Sequence, residues 1–150
     1  MTLKSQVLSI DPWEENYGRI LLYGHLHAHS LERACHFTLS HGLAVYWGIL
    51  MDIKLTEGPN YFEILATLKK SNISALLLET LYSINKENIR AAYRMDTISV
   101  HIIEEDRFSI IKLAAIGDFE HSCPKIPDRE ISWGQIETAF HSILEDLSAQ

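Results

Sequence analysis

Near the C-terminus, "SWGQIETAFHSILEDLS" joins a helix start signal to a long apolar stripe. Ser132 stands three residues before Gln135, the spacing of a capping box. Its hydroxyl accepts a hydrogen bond from a backbone N–H of the first turn, and the glutamine reaches back to the N–H of the cap. Trp133, Ile136, Phe140, Ile143, Leu144 and Leu147 then recur at helical spacing. A helix so marked has to bury its stripe against other elements. At 150 residues the chain can supply them within one domain, 1–150.

Those other elements read as a mixture. "KSQVLSI" and "RILLYGHL" have the apolar character of strands, the second running on to about His27. Ser30 can cap a helix through Leu31, Ala34, Cys35, Thr38 and Leu39, with His41-Gly42 as its stop. From Val45 to Leu55 every second residue is apolar, which predicts a strand. "TEGPN" breaks the chain, and "YFEILATLKKSN" predicts a helix. Residues 73–84 suit a buried strand or a buried helix equally well. Asn85 can cap a short helix over "KENIRAAYRM", and "TISVHIIEEDRFSIIKLAA" predicts a hairpin turning at Glu105-Asp106. "GDFEHSCPKIPDREI" reads as a loop. The sum is an α+β fold: a single domain with a mostly antiparallel sheet of about four to six strands, helices packed on one face, and an amphipathic C-terminal helix.

Charge is distributed unevenly. The net charge is −7. Residues 96–150 carry eleven Asp and Glu against only Arg107, Lys112, Lys125 and Arg129, which accounts for all of it. Phosphate backbones repel such a segment, so nucleic-acid binding is not expected there, while a basic protein partner would be attracted. The exposed turns make Glu104, Glu105, Asp106, Asp118, Glu120, Asp128 and Glu130 the candidate partner-binding residues. No stretch is apolar enough to span a membrane. The N-terminal residues lack the pattern of a secretory signal, and two cysteines are too few for a disulfide framework. A cytoplasmic setting is expected.

"YGHLHAHS" brings three histidines together. On a strand, His25, His27 and His29 point to one face, about 7 Å apart at successive positions. Neutral imidazole is a common zinc ligand. His25 and His29 would be too far apart on a straight strand for one ion, so further ligands are needed, from His36, His41, His101, His121, Glu32 or Asp118. "HLHAHS" resembles the first metal motif of the polymerase-and-histidinol-phosphatase hydrolases. That resemblance implies a metal-dependent hydrolase on a seven-stranded barrel. The chain departs from it in lacking an acid before the histidine pair and in being too short for the barrel.

Other chemistry is thinly signalled. Cys123 has His121 two residues away, but Asp118 and Glu120 oppose thiolate formation. Cys35 reads as a small core residue. No glycine-rich phosphate loop, G-x-S-x-G, H-E-x-x-H or C-x-x-C motif occurs. The sequence therefore points first to a small acidic cytosolic protein-binding module without a cofactor. In charge and size it is similar to immunity or inhibitor proteins that cover a basic surface of a partner. The alternative is a small metal-dependent hydrolase using zinc at His25, His27 and His29.

Overall fold

The computed structural model describes residues 3–14, 17–71, 74–95, 102–104, 106–112 and 128–149. Helices dominate them. In chain order they are α1 (Leu3–Ile10), a 3-10 helix (Tyr17–Leu22), α2 (His25–Ala34), α3 (His41–Thr56), α4 (Tyr61–Lys69), α5 (Ser74–Ser83), α6 (Lys86–Arg94) and α7 (Trp133–Ser148). Three short strands, β1 (Ile102–Glu104), β2 (Arg107–Ile111) and β3 (Asp128–Ser132), form one antiparallel sheet in the order β1-β2-β3.

The expected sheet of four to six strands is thus replaced by a helical domain with a small sheet at its side. The largest correction is at Val45–Leu55, the predicted strand, which lies inside α3. The alternation there is only apparent, because Tyr46, Gly48 and Leu50 between the apolar positions are not markedly polar. A helix that is apolar nearly all round belongs in the interior. On α3, Leu43, Ala44, Trp47, Leu50, Met51, Ile53 and Leu55 are all buried. "KSQVLSI" is likewise helical, with Val7 facing inward. "RILLYGHL" divides between the 3-10 helix and the start of α2. Ser30 is not a cap: it lies within α2, its hydroxyl donating to the Leu26 carbonyl at 2.8 Å. His41 opens α3 instead of ending a helix. The ambiguous segment resolves as α5.

At α6 and α7 the end signals are as expected. Asn85 caps α6, its side chain accepting from the Glu87 N–H at 2.7 Å. Both halves of the Ser132–Gln135 capping box form, and Ile136, Ile143, Leu144 and Leu147 of α7 are buried. Trp133 and Phe140 pack partly buried against the same core, Phe140 edge-on to Trp47 at 5.0 Å. In α4, Leu65 and Leu68 are buried, whereas Phe62 is exposed.

The hairpin of β1 and β2 is present, with Ile102 opposite Phe108. The predicted loop yields a strand at its end, where β3 pairs along all of β2 from Arg107↔Ser132 to Ile111↔Asp128. Phe108, Ile110 and Ile131 turn the sheet's apolar face inward, and Phe108 meets Tyr93 of α6 at 5.5 Å. Among the described residues no helix is long and apolar enough to cross a membrane.

Candidate metal centre

α2 and α3 form a hairpin whose two ends are fixed by unusual backbone. At its open end Gly24 has φ of 77°, the left-handed region that glycine occupies most readily. Its carbonyl starts α2 by accepting the Ala28 N–H. At the closed end His36 and Phe37 both have positive φ, 53° and 58°, and reverse the chain within a few residues. The Phe37 N–H closes that turn on the Glu32 carbonyl at 2.7 Å. Ser40, extended, then leads into α3, so that His41 sits in its first turn.

Helical rather than strand geometry decides which histidines meet. Side chains four and seven residues apart share one face of a helix, and those two apart do not. His25, His29 and Glu32 therefore line up on α2, and His41 reaches them from α3. The ring of His25 lies 5.4 Å from that of His29 and 5.5 Å from that of His41. Nδ1 of His41 is 3.1 Å from Oε1 of Glu32. His29, Glu32 and His41 each offer a ligand atom within 4.8 Å of the others. His27 is turned the opposite way, into the core, and is 1% exposed. Of the three histidines expected on one face, His25 and His29 share a face, and Glu32 and His41 lie beside them. The signal was in the sequence: H-x-x-x-H-x-x-E is a helical face.

The electrostatics suit a ligand set. Burial chiefly, with help from His29 and His41, holds the His25 pKa below the ordinary histidine value, against the pull of the Tyr23 carbonyl and Glu32. That favours the neutral, metal-ligating form. Two nitrogens with one or two oxygens is the donor mixture zinc and similar ions accept. Donors about 2 Å from one tetrahedral ion stand roughly 3.3–3.5 Å apart, which small side-chain rotations reach from the spacing seen. The residues fit a divalent ion.

The remaining candidates are dispersed. Asp106 accepts hydrogen bonds from Arg90 and Arg94, and the Arg90 contact foremost lowers its pKa. Asp128 is clasped by both terminal nitrogens of Arg19, at 2.9 and 3.0 Å. Glu130 lies 3.9 Å from Arg107. Glu104 ends β1. Glu105, Asp118, Glu120, His101, His121 and Cys123 lie outside the described residues. Cys35 is half-buried at the end of α2, its thiol donating to the Glu32 carbonyl at 3.4 Å.

A family model described as "3-dehydroquinate synthase C-terminal" matches residues 1–106, which take in the whole α2–α3 hairpin. The chain belongs to that family. Proteins named 3-dehydroquinate synthase are its relatives in Chlamydia abortus, 25% identical over 118 residues, and in Aeropyrum pernix, 43% identical over 54 residues. The first match covers 75% of this chain and 31% of the relative, the second 36% and 15%. The chain thus matches less than a third of the length of these curated relatives. No solved structure matches it. Membership of the 3-dehydroquinate synthase C-terminal family overturns the immunity- or inhibitor-type reading. Acidity and small size are shared by many unrelated proteins and carried no family information.

Proposed function

We propose that this chain is the metal-holding helical part of a 3-dehydroquinate-synthase-like enzyme of the cytoplasm, with His25, His29, His41 and Glu32 binding one divalent ion such as zinc. The convergence of His29, Glu32 and His41 from two helices onto one spot, with the His25 ring 5.4 and 5.5 Å from the other two imidazoles, carries the reading, and membership of the synthase family supports it. When bound, such an ion supplies Lewis-acid polarisation of an oxygen on the substrate.

The protein's own groups have separable tasks. Glu32 is largely buried, and its contact with His41 fixes that ring's orientation. The His41 side chain is more than half exposed, 58%, so the cluster faces solvent on that side and a small molecule can approach it there. His25 and His29 form the inner wall. By family membership the reaction served would be the one the relatives are named for, formation of 3-dehydroquinate.

Tag-free protein loaded with zinc and passed over a desalting column tests it. One zinc per chain by elemental mass spectrometry is expected, together with loss of zinc in His29→Ala and in His41→Ala. Absence of saturable zinc binding by the unaltered protein would overturn the reading.

A further inference from the structure

On the side of α2 away from the ligand face lies a buried polar chain. Nδ1 of His27 is 2.5 Å from the Tyr93 hydroxyl on α6. Its Nε2 is 3.0 Å from Oδ1 of Asp52 on α3, close enough for an ion pair but off the line of a hydrogen bond. The other Asp52 oxygen, Oδ2, accepts the Gly24 N–H at 2.6 Å. Asp52 itself is 3% exposed. One carboxylate therefore touches both the residue that begins α2 and a side chain in the first turn of α2.

Its place on α3 gives that contact a direction. Asp52 lies one helical turn beyond Gly48, and Gly48 sits directly against the Gly24 carbonyl. His41 is on the same helix, at its start. The glycine contact sets how close α2 and α3 approach. Asp52 sets how far one is slid and turned along the other. His25 adjoins Gly24, so any slip there moves His25 relative to His41.

Stability does not account for the arrangement. Taking a histidine and a carboxylate out of water costs much of what their attraction returns, and apolar replacements of buried ion pairs are often neutral or better. A directed contact to a backbone N–H is what an apolar pair could not provide.

We propose that Asp52 is a positioning residue for the histidine cluster: through Gly24 and His27 it fixes the register of α2 on α3, and with it the spacing of His25 and His29 from His41. This rests on the metal-binding reading above. Asp52 touches none of the ligating side chains, and it acts only through the helix that carries them.

Cobalt(II) is a suitable probe, because its visible absorption reports ligand geometry as well as occupancy. The chain is titrated with cobalt in competition with a chelator. Asp52→Ala should weaken cobalt binding by about tenfold or more, the size usual when supporting contacts behind a ligand are lost, and should change the spectrum of the bound ion. Asp52→Asn keeps an oxygen for the Gly24 N–H and should recover most of that affinity. Leu68→Ala, a core truncation remote from the hairpin's glycine contact, should lower stability and leave cobalt affinity and spectrum unchanged. Should Asp52→Ala fail to fold, Tyr93→Phe replaces it: it releases the far end of His27 at nearly constant volume, and a shifted cobalt spectrum is expected. Wild-type affinity and spectrum in Asp52→Ala, or in Tyr93→Phe where that variant stands in, would overturn the proposal. So would an equal loss in Leu68→Ala, which would make the effect one of general stability. Failure of the unaltered protein to bind cobalt would overturn the metal reading itself, a result distinct from a failure confined to the variants.

Discussion

Replacing Gly48 by alanine should damage the packing of the α2–α3 hairpin. Two effects oppose each other. Alanine is the better helix former, and in mid-helix it gains about 1 kcal/mol over glycine. Against this, a Cβ at position 48 would lie 1.9 Å from the Gly24 carbonyl oxygen and 2.8 Å from its carbon, where real Cβ contacts essentially never fall below 3.0 Å. The obstacle is backbone, so no side-chain rotation relieves it, and the helices have to separate by about 1 Å at their closest approach. Overpacking of this kind costs roughly 1–3 kcal/mol and sometimes more. A rigid contact belongs at the upper end, which leaves a net loss of about 2 kcal/mol after the propensity gain. Gly42, near the start of the same helix, is the internal control, since a Cβ there meets nothing within 4 Å. Gly42→Ala should be neutral or slightly stabilising. Urea titration followed by circular dichroism measures both. Equal midpoints for the Gly48→Ala and Gly42→Ala proteins would refute the close approach of α2 and α3 at these glycines.

Two further expectations concern α7. Ser132→Ala removes one half of its capping box and should cost about 1 kcal/mol in chemical denaturation, with no effect on bound metal. Asp146 has its pKa held below the ordinary 3.8 by the Tyr61 hydroxyl first and by Lys54 next. Its stabilising contribution is therefore complete above pH 3.8 and is lost as pH falls through the lower folded-state value. Asp146→Asn should show a shallower loss of melting temperature than the unaltered protein as the buffer is taken below that pH.

What could be read from the sequence was the chemistry of two helix ends, whereas the Ser30 cap and the His41-Gly42 stop were not borne out. Asn85 and the Ser132–Gln135 pair identify α6 and α7 because a cap is a local bond between neighbours. The hairpin at Asp106 was readable for a similar reason. What failed was periodicity in the interior. Trp47, Leu50, Met51 and Ile53 are buried on several sides of α3 at once, so no single stripe marks the helix. Length was the better guide, because eleven residues without a turn exceed the four to eight usual for a strand. The site was half legible for the same cause. His25 and His29 stand out as a group in the sequence, but on a strand they are too distant for one ion and His27 is their neighbour. Once α2 is a helix, His27 faces the core beside Asp52, and Glu32 takes its place. The buried Asp52 had no sequence signal, since a single acid in an apolar run reads equally well as the wet edge of a strand.

The tight turn at His36 and Phe37 has a consequence for the order of assembly. All the proposed ligands lie between His25 and His41, on either side of that turn. Bringing them together requires no pairing of distant parts of the chain. Contacts between near neighbours in sequence close fastest, because little chain entropy is lost in making them. The ligand set can thus form while the strands and α7, which come last in the chain, are still undocked. An ion present at that moment would bind the hairpin in its native register and hold it there while the rest of the domain folds around it.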